Sequence, residues 1–139
     1  MTTIDFYTHV ADRLTVAARV VAKAVAAHGH VRVLTPDAAT TDALDRLLWL
    51  SPPISFVPHC RMDSPLAPDT PVWIDHRLEH AGPAVVLVNL RPDAPPFFSR
   101  FERLVEIVDE ADAPAGRERY RFYRERGYVL HAHNMSAPG

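Results

Sequence analysis

The first fifty residues alternate between strand-like and helix-like patterns of apolar positions. Thr3–Tyr7 alternates with a period of two, which predicts a strand, and Arg13–Ala27 carries apolar residues at helical spacing behind a plausible N-cap, Asp12. Val31–Leu34 predicts a second strand and Ala38–Leu48 a second helix. This order of strand, helix, strand and helix is typical of parallel βαβ units.

The second half of the chain continues the same alternation after a proline-rich passage. Ala84–Val88 is a continuous apolar run, which favours a central strand that is covered on both faces. The other predicted elements are an extended piece at Ser55–Val57, a strand at Val72–Ile74, a short helix at Phe97–Phe101, a strand (or helix) at Leu104–Val108, a helix at Ala113–Arg126 that ends at Gly127, and a strand at Tyr128–His131.

These elements predict one α/β domain of three layers, Rossmann-like, with a mainly parallel sheet over residues 1–133 and a flexible tail over residues 134–139. Such sheets often bind nucleotides through a glycine-rich turn. Here the first strand-to-helix turn, Thr8–Asp12, contains no glycine, and the five glycines of the chain fit neither nucleotide-binding motif. The sequence therefore predicts no nucleotide site, and a doubly wound nucleotide-binding or enzymatic domain remains the alternative.

Composition excludes several other classes of protein. The single cysteine, Cys60, excludes an internal disulfide and a cysteine-based zinc site, and the eight histidines lack the spacing of known metal motifs. No serine lies in a nucleophile motif. We therefore expect no catalytic residue, no metal and no cofactor. Met1–Tyr7 lacks a signal peptide and the apolar runs are too short to span a bilayer, so we expect a cytoplasmic protein without membrane association.

The charge of the chain is unevenly distributed. Residues 117–126 hold five arginines against two glutamates, whereas the rest holds ten basic and fifteen acidic residues. A cationic segment on an acidic protein predicts a docking site for an anionic partner. Helical geometry places Arg117, Tyr120, Arg121 and Arg124 on one face and directs Phe122 to the opposite side, toward the core. A solvated face with arginine stems over apolar surface is the alternative.

Arginines beside a tyrosine can bind carboxylates in bidentate fashion while the ring packs against an apolar side chain. The pattern suits an acidic peptide with a free carboxyl terminus, and phosphates of a nucleic acid could also bind there. A second candidate surface combines Trp49, at a helix end, with Phe56 in a proline-stiffened loop. Rigidly held aromatic residues make good anchors for a protein partner, although both rings could equally close the core.

The chain resembles the chi subunit family of bacterial DNA polymerase III holoenzyme over nearly its full length. The resemblance rests on the order and spacing of several short segments: Asp5-Phe6-Tyr7, Leu44-Asp45, Leu48-Trp49, Ser55-Phe56-Val57-Pro58-His59, Arg117-Glu118-Arg119-Tyr120, Tyr123-Arg124 and Gly127-Tyr128. It implies a Rossmann-like fold without a nucleotide site. It also implies a non-catalytic replisome subunit that links the clamp loader, through the psi subunit, to the acidic C-terminal tail of single-stranded-DNA-binding protein, so that it meets DNA only indirectly.

The resemblance also implies roles for individual residues. Arg117, Tyr120 and Arg121 match the positions that receive the acidic tail, and Trp49 and Phe56 match the aromatic positions that face psi or a helicase that competes for the same surface. The family has a basic residue about one turn before Arg117, where this chain has Ala113. We therefore expect either a weaker tail site or one that uses Arg124 instead.

Overall fold

The structure is a computed structural model that describes residues 2–50, 59–60, 72–76 and 85–136. In chain order its elements are β1 (Thr3–Val10), α1 (Arg13–His28), β2 (Val31–Leu34), α2 (Ala38–Leu50), β3 (His59–Cys60), β4 (Val72–Asp75), β5 (Val86–Asn89), a short 3-10 helix (Phe98–Arg100), β6 (Arg103–Asp109), α3 (Ala113–Glu125) and β7 (Val129–Asn134). The strand predicted at Leu104–Val108 is confirmed as β6 rather than a helix. The extended piece predicted at Ser55–Val57 lies outside the described residues.

The described strands form one sheet in the order β3-β4-β2-β5-β6-β1-β7, and every pair of neighbours is parallel. Helices α1 and α2 cover one face, and α3 with the 3-10 helix covers the other. The predicted three-layer α/β fold with a parallel sheet is therefore confirmed. Because all strands run in one direction, their carboxyl ends meet at a single edge, where parallel α/β sheets usually place their binding sites.

Local signals in the sequence set the ends of α1. Asp12 accepts hydrogen bonds from the backbone N–H of Thr15 at 3.3 Å and from its hydroxyl group at 2.8 Å, which is the N-cap that the sequence predicts. These bonds lower the pKa of Asp12 because they stabilise its ionised form. At the other end, Gly29 adopts a positive φ of 89° and its N–H donates to the carbonyl of Val25, which stops the helix.

The core under α3 is rich in aromatic side chains. Phe6 and Phe98 pack around Tyr123, whose ring centroid lies 6.0 Å and 5.0 Å from theirs. Tyr123 is fully buried, whereas Phe122, which the helical pattern directs to the core, is half-buried at its margin. The helix therefore turns the Tyr123 side toward the sheet, because a buried carboxylate receives the tyrosine hydroxyl there, as described below.

Two strands, β1 and β7, continue three residues beyond their predicted carboxyl ends. β1 continues to Val10 through a bulge, since Tyr7 pairs with Ile107 but Val10 pairs with Asp109. β7 continues to Asn134, and the N–H of the next residue, Met135, donates to the carbonyl of Thr8 at 2.9 Å. The hydrophobic pattern does not indicate these extensions, because polar residues lie at the ends of both strands.

Gly116 lets α3 lie close against β6. A Cβ atom at this position would come within 2.9 and 3.0 Å of the two γ-methyl groups of Val108, closer than carbon atoms pack in proteins. Val108 belongs to β6 and is branched at Cβ, so its methyl groups cannot easily rotate away. The missing side chain at Gly116 therefore sets the distance between the helix and the sheet.

We expect Gly116→Ala to destabilise the fold by about 1–3 kcal/mol through overpacking, although alanine normally improves a helix by up to about 1 kcal/mol over glycine. Urea unfolding of Gly116→Ala, of Val108→Ala and of the double variant measures the effect. The second substitution removes the opposing methyl groups, so the double variant should lose less stability than the two single losses combined. A Gly116→Ala variant more stable than the wild type would contradict the close approach.

Candidate functional site

A cavity of about 700 Å³ opens at the carboxyl ends of β1 and β6, against the first two turns of α3. Its lining combines an apolar floor with a polar rim and consists of Phe6, Thr8, His9, Val10, Ala11, Val108, Asp109, Glu110, Ala113, Gly116, Arg117 and Tyr120. A volume of this size suits a small molecule or one or two large side chains of a peptide.

Two predicted site residues, Arg117 and Tyr120, line this cavity together. The Tyr120 ring packs edge-on against Phe6, with centroids 5.2 Å apart, so it is half-buried and held in place. Arg117 is exposed at the rim and adds the positive charge. An apolar side chain in the cavity would thus contact the Tyr120 ring while an adjoining carboxylate faces the guanidinium of Arg117.

The other two predicted residues, Arg121 and Arg124, are exposed on α3 but do not line the cavity. Arg121 forms an ion pair with Glu118 at 3.5 Å, in which both side chains are about two-thirds exposed. A pair this exposed contributes little to stability and can open at little cost. Both arginines therefore extend the positive surface of α3 beyond the cavity.

Arg119, which the sequence groups with the cationic segment, is buried with 2% of its surface exposed. Its Nε donates to Glu106 Oε1 at 2.8 Å, and its two terminal nitrogens donate to both carboxylate oxygens of Asp112 at 3.2 and 2.7 Å. It also donates to the carbonyl of Pro92 at 2.9 Å. The exposed charge of the segment is therefore smaller than the sequence suggests, because Arg119 is neutralised inside the fold.

Glu106, in the middle of β6, is the centre of this buried network. Besides Arg119, its carboxylate accepts hydrogen bonds from the Tyr123 hydroxyl at 2.6 Å and from the Asn89 amide at 3.0 and 3.1 Å. Glu106 and Asn89 are both fully buried and lie opposite each other on neighbouring strands. The network thus ties β5, β6 and α3 together beneath the cavity.

Asp112 extends the network to the opposite layer of the fold. Its side chain accepts from Arg13 of α1 at 3.3 Å, and Arg13 also donates to the carbonyl of Ile107 at 2.8 Å. The backbone N–H of Asp112 donates to Asp109 Oδ1 at 2.9 Å, and the Asp112 carbonyl accepts from the N–H of Gly116 at 2.7 Å. The first turn of α3, which presents Arg117 to the cavity, is therefore fixed from both sides.

The electrostatics agree with this arrangement. Burial raises the pKa of Glu106, although Arg119, Tyr123 and Asn89 oppose the shift. Burial and the neighbouring charge of Glu106 raise the pKa of Tyr123, so the phenol stays protonated and donates. For Arg119, burial acts to lower the pKa, but the bonds to Asp112 and Glu106 outweigh it and raise the pKa. Burial therefore outweighs the partners that stabilise the ionised form of Glu106, whereas the same network favours the charged form of Arg119.

The proposed partner surface is only partly visible. Trp49 belongs to α2, but its side chain lies outside the described part of the chain, as does the whole of Phe56. His59, which follows Phe56 by three positions in the chain, is described: it is buried and its Nε2 lies 3.1 Å from Asp45 Oδ1 of α2. The interface role of Trp49 and Phe56 therefore stays a prediction.

Within the described ranges, no group of three histidine, cysteine or acidic side chains is arranged to hold a metal ion. In the same part of the chain, no helix has the length and apolar character needed to cross a membrane. The candidate site is therefore the cavity itself. It has an apolar floor, and its lining includes one arginine, Arg117, and one tyrosine, Tyr120.

Comparison with known proteins gives the chain a family. Residues 1–131 match the family model described as DNA polymerase III chi subunit, HolC. The chain belongs to the DNA polymerase III chi subunit family. The resemblance found in the sequence is thereby confirmed, and with it the assignment to the DNA polymerase III replication machinery.

Two curated relatives carry the chi subunit name. DNA polymerase III subunit chi of Pseudomonas aeruginosa is 33% identical over 141 aligned residues, which cover 97% of this chain and 98% of the relative. DNA polymerase III subunit chi of Haemophilus influenzae is 31% identical over 98 residues, which cover 66% of each chain. The first match spans the whole fold described above, so the cavity and the buried network both lie within the part shared with the chi family.

Removal of Arg119 should be among the most damaging single changes in this chi-family chain. We expect Arg119→Met to destabilise it by about 3–5 kcal/mol, because Glu106 is left as a buried carboxylate without its cation. The exposed Arg124→Met is the matched control and should change stability by less than about 0.5 kcal/mol. Urea unfolding measures both, and equal losses in the two variants would contradict the buried pair.

The same variant makes a prediction about pH. Glu106 has a raised pKa in the fold, so its contribution to stability is present below the unfolded pKa and is lost as pH rises through the folded pKa. Without Arg119, only Tyr123 and Asn89 oppose the effect of burial, so the pKa of Glu106 should rise further. The deficit of Arg119→Met relative to wild type should therefore shrink as the pH is lowered from about 8 to about 5. A deficit that is constant over this range would show that Glu106 is not the group left unpaired.

Proposed function

We propose that this chain is a non-catalytic adaptor of the replisome. In this role it binds the acidic C-terminal tail of single-stranded-DNA-binding protein in the cavity beside α3. It binds the psi subunit of the clamp loader through the surface around Trp49 and Phe56, where a helicase could compete. The protein then contacts DNA only through its partners.

The observation that carries the proposal is the joint lining of the cavity by Arg117 and Tyr120. A tail that ends in an aromatic residue offers a ring and a carboxylate on the same residue. The apolar floor of Phe6, Val10 and Val108 suits the ring, and Arg117 suits the carboxylate. Both groups of the ligand thus have a partner of matching chemistry in one cavity.

Charge outside the cavity favours an acidic tail that runs along α3. Arg121 and Arg124 lie one and two turns after Arg117, so Arg124 is displaced by about 10 Å along the helix axis. About three residues of extended peptide cover that distance. A tail that runs in the opposite direction is disfavoured. Its acidic residues would be repelled by Asp109 and Glu110 at the other side of the rim.

Ala113 lies in the same cavity as Arg117, at the position where the family resemblance expects a basic residue. The chain therefore offers one guanidinium, rather than two cations, inside the cavity. We infer that Arg117 provides most of the carboxylate recognition there, and that Arg124 contributes from the outer part of α3.

A nucleotide-binding function is the second candidate, because the cavity lies at the carboxyl ends of parallel strands, where such sheets bind their ligands. The lining does not favour a nucleotide. Asp109 and Glu110 would repel phosphates, and the β1–α1 turn contains no glycine. Thermal stabilisation by nucleotides would support this candidate, and its absence would favour the adaptor.

Titration of a fluorescent peptide that ends in Asp-Phe-Pro-Phe tests the tail site. We expect Arg117→Ala to weaken binding by about tenfold or more, because a charge-assisted contact to the carboxylate is lost. The affinity of the wild type should also fall as salt is added, since the contact is largely ionic.

Arg126→Ala is the charge-matched control for this titration. Arg126 is exposed and its guanidinium lies over the Phe122 ring at 3.7 Å, half a helical turn away from the face of Arg117. Its loss should change the affinity by less than about twofold. Equal binding by wild type and Arg117→Ala would refute the site.

The two docking surfaces should be separable by mutation. We expect Trp49→Ala to abolish co-purification with co-expressed psi and to leave tail-peptide affinity unchanged, because a buried aromatic anchor carries much of an interface's energy. Arg117→Ala should do the reverse. Retention of psi by a folded Trp49→Ala variant would contradict the partner-surface assignment.

A further inference from the structure

The bulge in β1 places one residue, His9, in an unusual position at the rim of the cavity. Three steps along β1, from Tyr7 to Val10, lie opposite only two steps along β6, from Ile107 to Asp109. Thr8 still pairs with Asn134 of β7, so His9 is the residue that leaves the ladder. Bulges of this kind commonly redirect a side chain toward a site.

The backbone of His9 is left-handed, with φ of 57°, and no other described residue except glycine has a positive φ. Glycine adopts this conformation without steric cost, whereas a residue with a Cβ is strained there. The chain nevertheless carries a histidine here, and this residue lines the cavity together with Arg117. A strained residue at the rim of a binding cavity points to a role for its side chain.

The imidazole ring of His9 has one hydrogen-bond partner among the described residues. Its Nδ1 lies 3.1 Å from the hydroxyl oxygen of Thr8. When the Thr8 hydroxyl donates to Nδ1, the proton of the neutral ring resides on Nε2. Nε2 has no hydrogen-bond partner in the described part of the chain, and His9 is exposed. The ring thus offers an unused N–H donor at the rim.

The rim of the cavity has room for a second hydrogen-bond donor to a bound carboxylate, and the Nε2–H group of His9 can fill that role. Arg117 is the one permanently charged cation among the residues that line the cavity, and Asp109 and Glu110 are anions. A carboxylate has two oxygens, and a single arginine on one wall leaves acceptor positions toward the opposite wall unused. His9 supplies a donor from that opposite wall, which is the end of β1.

We propose that His9 is a second anchoring residue of the cavity, whose Nε2–H donates a hydrogen bond to the terminal carboxylate of the docked tail. This inference rests on the proposed function. Thr8 acts as the positioning residue, because its hydroxyl fixes the tautomer and orientation of the ring. The pair gives the cavity preference for a free chain end over an internal acidic segment.

The test is a cycle of protein and peptide changes, measured by fluorescence anisotropy. The peptide ends in Asp-Phe-Pro-Phe with either a free carboxylate or a terminal amide. His9→Gly should weaken binding of the free acid by about fivefold or more. The penalty for amidation should be at least about threefold smaller in His9→Gly than in wild type, because the two changes remove the same contact.

Two further variants and one stability measurement complete the design. Thr8→Val, which keeps the shape of the strand residue, should lower the amidation penalty in the same direction. His30 is exposed and lies just before β2, at the amino ends of the strands and so on the far side of the sheet from the cavity. His30→Gly should bind both peptides like the wild type. Thermal unfolding of His9→Gly should show a midpoint at or above that of the wild type, since glycine relieves the left-handed backbone.

The outcomes separate the inference from the function on which it rests. An amidation penalty in His9→Gly equal to that of the wild type overturns the role of His9, even if its affinity is lower, and leaves the adaptor function intact when Arg117→Ala still loses binding. Absence of peptide binding by the wild type, or wild-type affinity in Arg117→Ala, overturns both proposals.

Discussion

The buried ion pair between Glu106 and Arg119 is the interaction on which the rest of the structure depends. Placing a carboxylate and a guanidinium in a core is costly unless every polar atom finds a partner. Here Asn89, Tyr123 and Asp112 supply those partners. The pair therefore fixes the rotation of α3 about its axis, because only one orientation of the helix satisfies it.

That orientation determines what the surface can do. With Arg119 and Tyr123 turned inward, Arg117, Arg121 and Arg124 are left exposed, and Tyr120 lies over Phe6 at the cavity. Gly116 brings the helix close to Val108, so the first turns of α3 form one wall of the cavity. The polar core and the docking surface are thus two sides of the same helix.

The sequence predicts most of the fold because its apolar periodicity and caps act locally. Asp12 and the apolar run at β5 lie where the pattern places them. It also places Arg117 and Tyr120 on one helix face, and both residues line the cavity. It does not show that Arg119 is buried, because periodicity cannot show that an acidic residue thirteen positions earlier in a strand lies beneath the helix. An acidic residue inside the otherwise apolar strand β6 is the signal that could have indicated a buried partner. His9 was missed for a different reason, since its role at the rim depends on a bulge that no sequence motif marks.

The central claim is that the cavity beside α3 holds the end of an acidic tail, and intermolecular nuclear Overhauser effects test it most directly. With the tail peptide bound to a sample labelled at its methyl groups, the terminal phenylalanine ring should show contacts to the methyl groups of Val108 and Val10, which lie on the cavity floor. Contacts of that ring to methyl groups of α2 instead, with none to Val108 and Val10, would place the tail elsewhere and contradict the account.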